Sequence, residues 1–393
     1  MLWNEIGCLA KRLQFVKLAF QAQRSMTQLC RIFRISRKTG YQWKARFDRE
    51  GRRGLRERNA RPHRSPGQTP AVWVKRIRRL RRRHRSWGSR KLAARLRQVY
   101  GPKGAPAART VGDWLKRMGL QRARRRRTRR GPELRRAGLT KAVRNNQVWT
   151  VDFKGWFRTG DGQRVEPLTV RDLFSRYLLA VCVLKDQRWQ PVRRIFMRLF
   201  GQRGYPEIIR VDNGQPFGST GALGLSRLSV WWTALGIRVQ FIAPGCPGQN
   251  GAHEQMHRVF KAELTKPASA NRRAQQRRTN RWLKIYNEVR PHEALGQRPP
   301  GKIYRAQPAK ARVVALSYAA DWVVRRVRSN GEIKWHGRKR FIGEAFVGYT
   351  IGLKRKNRQH WKVRFGELVI GELWDTDASG MRPARYPRKR RAR

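Results

Sequence analysis

The sequence predicts a multidomain chain in three parts: helical helix-turn-helix units first, then a central mixed α/β segment, then a small all-β barrel. Three observations predict it. Apolar residues recur at helical spacing through the first 120 positions, short β-like runs that later alternate with helices take over from residue 147, and short strands cut by glycine and asparagine turns return from residue 311.

The composition limits what such a chain can bind. Among 393 residues, 93 Lys and Arg stand against 24 Asp and Glu, a formal net charge of +69. A field that positive favours a polyanion and disfavours acidic-site or neutral-ligand explanations, so nucleic acid is the expected partner. The chain is not merely a basic tail: 39% hydrophobic residues, with 15 Trp and 15 Phe, can build real cores, and the length suits two to four modest domains. Cys8, Cys30, Cys182 and Cys246 lie far apart with no CxxC pair, which indicates neither a disulfide framework nor a cysteine zinc cluster. The apolar run Leu178 to Leu184 is too short to cross a bilayer and the first residues lack a signal-peptide pattern. A cytoplasmic, nucleoid-associated protein with no membrane partner is expected.

Residues 1–50 read as helix, turn, helix, with Ser36 as the N-cap of a recognition helix that carries Arg37, Lys38, Tyr41 and Trp43 as candidate DNA contacts. Residues 51–71 lose all apolar period and read as a basic linker. A second helix-turn-helix unit is expected over 72–120, with Ser89 as a cap and Arg90 and Lys91 as candidate contacts. Between residues 121 and 145 comes an arginine-rich linker, where Arg124, Arg125, Arg126 and Arg127 would grip phosphates. The core segment, 146–300, has three strands in a row followed by alternating helix and strand, the order of a ribonuclease-H-like fold. Residues 311–375 suggest the small antiparallel barrel, including a strand in RVVALSY, and 376–393 a basic tail.

In so basic a chain the acids are the informative minority. In VWTVDFKGWF the period of two puts Thr150, Asp152 and Lys154 on one face and Trp149, Val151 and Phe153 on the other. Asp212 closes the apolar run EIIRVD, at a strand's carboxyl end where α/β sheets commonly place ligands, and Glu254 lies one turn into a helix after PGCPGQNG. Pairing with an arginine is the ordinary fate of any one of these acids. Three that converge would instead bind divalent cations, two of which can activate an attacking oxygen and stabilise a leaving one. Asp161, Asp172 and Asp186 sit where turns are expected.

The strings VWTVDFKGWF, VDNGQPF and PGCPGQNGAHEQMHRVFK, with YNEVRPHEALGQRPP after them, resemble the motifs of the integrase-core DDE transposases, bacterial insertion-sequence enzymes related to retroviral integrases. The helical units, with SRKTGYQWKARF and GRRGLRER, and the expected barrel are similar to the architecture of single-reading-frame members, so the likeness spans nearly the whole chain. It implies metal-binding catalytic roles for Asp152, Asp212 and Glu254, two Mg2+ ions per site with Mn2+ as a substitute, and a homo-oligomer on DNA. One departure is visible: 41 residues separate Asp212 from Glu254, where the family has roughly thirty-five. The Gly-rich stretch 218–224 can hold the excess as a loop.

Around these motifs, Arg258 and Lys261 follow Glu254 on one helical face and Asn250 flanks it, so all three are candidate DNA contacts. His253 and His257 are four apart, but no further ligand is near in sequence, which argues against zinc. The implied activity is cleavage at transposon ends to free 3′-hydroxyls and their joining to target DNA. A DNA-binding regulator with an inert core, or a ribonuclease-H-type nuclease that cuts without joining, are the alternatives.

Overall fold

The computed structural model describes residues 5–57, 67–121, 138–243, 249, 251–309 and 316–384. Two compact units are present, Met1–Gln68 and Thr69–Arg393. The first is built from α1 (Glu5–Phe20), α2 (Met26–Ile32) and α3 (Arg37–Glu50). Ser25 and Gln28 form a reciprocal capping box at the start of α2, and the Ser36 hydroxyl accepts the Thr39 N–H at the start of α3. Phe15, Val16, Leu29 and Cys30 bury against α3 at Gly40, where any Cβ would fall 2.6 Å from Cys30 Sγ and 2.9 Å from Phe15 Cζ. Leu55 is buried in the same core and its carbonyl accepts from Arg12. The start of the expected linker is therefore part of the helical unit.

The second unit opens with α4 (Ala71–Arg83), α5 (Ser89–Tyr100) and α6 (Ala108–Arg117). Ser89 is the first residue of α5 and Gly88 is its cap, with no side-chain cap bond, so the expected serine cap is displaced by one residue. Arg81 holds the connections by donating to the carbonyls of Arg85, Trp87 and Leu120. Trp73, Ile77, Trp87, Leu92 and Val111 form the helical core, and Ile285 and Val289 from the next segment pack into it.

The central segment comprises β1 (Val148–Phe153), β2 (Phe157–Arg158), β3 (Arg164–Asp172), β4 (Leu178–Leu184), α7 (Trp189–Arg203), β5 (Ile208–Val211), α8 (Arg227–Ala234), β6 (Arg238–Phe241), α9 (Gly251–Leu264) and α10 (Arg272–Glu288). They form one mixed sheet in which β2, β3, β1, β5 and β6 are successive neighbours and β4 pairs with β3. The β1–β3 and β3–β4 pairs are antiparallel, as short connections permit; β1–β5 and β5–β6 are parallel, with α7 and α8 in the crossovers. On one face, Trp149, Val151, Leu168 and Val170 bury against Phe196, Leu199, Leu228 and Trp232 of α7 and α8. On the opposite side, Leu178 and Val181 bury against Met256, Phe260, Trp282 and Tyr286 of α9 and α10. Helix α10 begins at Arg272 because Asn271 caps it, and its buried face carries Gln275 and Thr279.

The last segment contains β7 (Val323–Arg326), β8 (Glu332–Trp335), β9 (Arg338–Phe341), β10 (Thr350–Asn357), β11 (His360–Phe365), β12 (Leu368–Trp374) and β13 (Arg382–Pro383). It is an antiparallel sheet in the order β13-β12-β11-β10-β7 with a β8–β9 hairpin, and among the described residues no pairing joins β13 back to β7 to close a barrel. Of the expected strand RVVALSY, residues 312–315 lie outside the described residues and Leu316 to Tyr318 are irregular. The region expected as a basic tail starts inside the fold: β13 pairs with β12, and Arg382 donates twice to Asp377 at 2.7 Å. Residues 385–393, the rest of that tail, are outside the described residues.

The Gly-rich excess between Asp212 and Glu254 has a position in this packing. Gly218 and Leu225 form an isolated bridge, and Ala222 and Leu225 join Val230 and Ala234 of α8 in one apolar cluster with Ile351, Val363 and Ile370 of the C-terminal sheet. Leu223 N–H donates to the Ala384 carbonyl at 2.8 Å. The loop 218–225 is the seat of that sheet on the core. Among the described residues no helix is long and apolar enough to cross a membrane.

Candidate active site

Strand alternation delivers Asp152 to the face of the sheet that α9 covers, since its neighbours Val151 and Trp149 are committed to the opposite core. Thr169 of β3 is its antiparallel partner. Across the other edge of β1, Thr150 pairs with Arg210 of β5, so two residues further on Asp152 and Asp212 stand side by side where the parallel strands end. Asp212 begins a tight turn in which Gly214 N–H donates to its Oδ1 at 3.2 Å, and Asn213 is held by its amide on the Ile242 carbonyl at 2.8 Å. Glu254 lies in the first turn of α9 and is exposed.

The electrostatics of this corner are those of crowded carboxylates. Burial, then the negative field of Asp212 and, to a smaller degree, that of Glu254, push the Asp152 carboxyl up to about 7. Burial also raises Asp212, against the opposing Gly214 hydrogen bond. The Asp152–Glu254 influence puts the third acid within electrostatic reach of the first. Among the described residues neither Asp212 nor Glu254 has an ion-pair partner, and the basic group within ion-pair distance of Asp152 is His257, whose Nδ1 is 3.8 Å from Oδ2. That contact is not an ion pair at neutral pH, because burial, then Lys154 and Arg171, lower His257 to about 3. Also among the described residues, no three Asp, Glu, His or Cys side chains are packed as a ready-formed cation cage. Oxygen donors without cationic partners nevertheless fit a hard divalent ion, which would relieve their mutual repulsion.

Four polar groups that the sequence did not single out as a unit surround the acids. Thr169 Oγ1 is 2.5 Å from His253 Nε2 and 2.9 Å from His257 Nε2, and His253 Nδ1 is 3.0 Å from Thr150 Oγ1. Thr150, Thr169 and His253 are all buried. Their sequence signals are the shared strand face of Thr150 and Asp152 and the four-residue spacing of His253 and His257; Thr169 carries none. Lys154 stands nearby, its ammonium lowered by burial and then by the neighbouring Lys261.

The expected DNA contacts fall into three groups. Arg37, Lys38 and Tyr41 are exposed on α3, whereas Trp43 turns inward, edge-on to Phe15 at 5.8 Å and covered by Arg12. Arg258 and Lys261 are exposed on α9, beside Glu254. Arg90 pairs with exposed Glu293 at 2.7 Å, and Lys91 is lowered to about 8 by burial first and the Arg290 charge second. Those two residues of α5 face the core segment. Arg124, Arg125, Arg126, Arg127 and Asn250 lie outside the described residues. Asp161, Asp172 and Asp186 serve turns, accepting from Gln163, Ser175 and Arg188 backbone N–H groups respectively.

The docking of α5 centres on Glu263 at the end of α9. Its carboxylate accepts from Ser86, from Trp282 Nε1 at 2.5 Å and from Arg290 at 3.0 Å. Arg290, nearly buried, also lies over the Trp87 ring at 5.9 Å.

Comparison with known families places two Integrase core domain matches at residues 142–247 and 235–300, a Helix-turn-helix domain match at 11–63 and a Homeodomain-like domain match at 39–115. An uncharacterized 39.2 kDa protein of insertion element IS476 from Xanthomonas euvesicatoria is 31% identical over 193 residues, 48% of this chain and 54% of that protein. An uncharacterized 31.7 kDa protein of insertion element IS407 from Burkholderia multivorans is 32% identical over 198 residues, 50% of this chain and 68% of that protein. Among solved structures, the HTLV-2 integrase catalytic core domain in complex with magnesium aligns with 42% of this chain and 100% of its own at 16% identity and a TM-score of 0.34. A chain of the simian T-cell lymphotropic virus intasome aligns with 79% of this chain and 100% of its own at 14% identity and a TM-score of 0.36.

Proposed function

Because this chain belongs to the integrase-core DDE transposases of bacterial insertion elements, we propose that it binds the terminal repeats of its element, cleaves there to free 3′-hydroxyl ends, and joins those ends to target DNA. The observation that carries the reading is the corner of Asp152, Asp212 and Glu254: in a chain with 93 basic residues, none of these carboxylates is neutralised by a lysine or arginine among the described residues. Acids that weaken DNA binding and have no internal partner need a cation to justify their position.

Asp152, Asp212 and Glu254 would hold two magnesium ions, or manganese in their place, after closing up around them. Such ions supply Lewis acidity and charge neutralisation at a phosphodiester undergoing in-line displacement. The protein's own groups do the positioning. Lys154, two residues after Asp152, and Arg258 and Lys261, one and two turns after Glu254 on α9, would orient the backbone of a DNA end, acting on phosphates without reading sequence. Reading falls to the helix-turn-helix units, chiefly through Arg37, Lys38 and Tyr41. The C-terminal sheet adds phosphate contacts through Arg325, Arg326 and Lys334, and pairing of two element ends requires an oligomer on DNA.

The test supplies pre-cut element ends and a supercoiled plasmid in Mg2+. Joined products are expected; cutting without joining would point to a nuclease, and binding with neither reaction to a regulator.

A pH dependence follows from the raised Asp152 carboxyl. Cation binding needs the ionised form, so proton and cation compete. Apparent Mn2+ affinity should rise with pH to about 7, where Asp152 titrates in the free protein, and level off above it. Below that point it should fall by about tenfold per unit. Calorimetric titration between pH 5.5 and 8.5 measures this, and a flat profile would remove Asp152 from the ligand set.

A further inference from the structure

A hydrogen-bonded hub surrounds Thr169. Its hydroxyl oxygen lies 2.9 Å from the Asp152 main-chain carbonyl. The Nε2 atoms of His253 and His257 are 2.5 and 2.9 Å from the same oxygen. His253 Nδ1 is 3.0 Å from Thr150 Oγ1, and His257 Nδ1 faces Asp152 Oδ2 at 3.8 Å.

The first turns of α9, which carry Glu254, are thereby tied through His253 and His257 to β1 and β3, and β1 carries Asp152. All three hub residues are enclosed: Thr169 and His253 are fully buried and the His257 side chain is 12% exposed. Enclosure on this scale keeps solvent from substituting for a lost partner.

We propose that Thr169, His253 and His257 are positioning residues, a polar hub that sets the spacing of Glu254 from Asp152 and so arranges the two carboxylates for a divalent cation. The inference rests on the carboxylate reading above and goes beyond it by naming the groups that arrange the ligands.

The decisive comparison is Thr169→Val, which keeps the shape and removes the hydroxyl, against Thr169→Ser, which restores it. Direct Mn2+ binding by electron paramagnetic resonance, without DNA, is read beside the half-saturating Mn2+ concentration for strand transfer. Thr169→Val should weaken both by about ten- to a hundredfold, as loss of groups that orient metal ligands does. Thr169→Ser should return within about threefold of the wild type. Mn2+ binding by Thr169→Val equal to that of the wild type would overturn the proposal. Should Thr169→Val melt before the assay temperature, the pair His257→Leu and His257→Gln decides in its place. Glutamine keeps a donor near the Nε2 position and should rescue what leucine loses; equal binding by both variants counts against the hub. Asp152→Asn, measured alongside, separates the two levels: unchanged Mn2+ binding there would bring down the carboxylate reading itself.

Discussion

Asp152→Asn is expected to lower end cleavage and strand transfer in Mg2+ by on the order of 10³-fold or more while binding to terminal-repeat DNA stays within about threefold. Asparagine keeps the size and one oxygen but removes the charge a cation needs. The same substitution should stabilise the cation-free protein. Asp152 sits near 7 in the fold, above the ordinary carboxylate value of 3.8, so between those values the native state binds more protons than the unfolded chain. Stability is then highest below the lower value and falls as pH rises through the upper one, so the penalty is complete above about pH 7. Asparagine removes it, a gain on the order of 2 kcal/mol at pH 8 that should shrink towards pH 4. Gel assays of cleavage and joining with matched thermal melts test both halves. Strand transfer at the wild-type rate would end the metal role of Asp152.

Arg290→Ala should produce the largest loss of stability. The Arg290 side chain is 5% exposed and its partner Glu263 23% exposed, and removing one member of a buried pair strands the other, at a cost of about 3–5 kcal/mol. Glu263 would keep Trp282 and Ser86 as donors but lose its compensating charge. Because Arg290 also lies over Trp87, the α4–α6 segment should come away first, giving an early transition in tryptophan fluorescence ahead of the main one. Arg90→Ala is the contrast: its pair with Glu293 is exposed on both sides, and less than about 1 kcal/mol is expected. A single transition at the wild-type midpoint for Arg290→Ala would mean that the docking does not depend on this pair.

Much of the fold was legible because local rules acted alone. Ser36 caps α3 as its position suggests, and the alternation in VWTVDFKGWF sends Trp149 and Val151 to one side and Asp152 to the other. Where tertiary packing overrules local pattern, reading fails. The first half of α10 has no apolar period, since Gln275 is buried by hydrogen bonds to the Leu264 carbonyl and the Ser269 N–H. Trp43 lies among basic residues in sequence yet completes the core with Phe15, and Lys91 is drawn towards Glu263 and Glu293 across long sequence separations. In the candidate site, the acids drew attention by being scarce and by the wording around them. Thr169 did not, for a threonine in a strand carries no signal until the helix that meets it is in place. His253 and His257 were considered only as zinc ligands, because spacing reveals nothing of a hydroxyl 84 and 88 residues away.

The bridge between Gly218 and Leu225 has a consequence for how such chains diverge. Its two ends meet, so residues can be gained or lost between them without displacing either the strand that precedes Asp212 or the helix that follows. Separation along the polypeptide is thereby released from separation in space, and a lineage could lengthen this excursion freely until its apolar tip found a neighbouring module to rest against. Here that tip meets the C-terminal segment at Ala384, so shortening it would leave the acids where they are and unmoor the module.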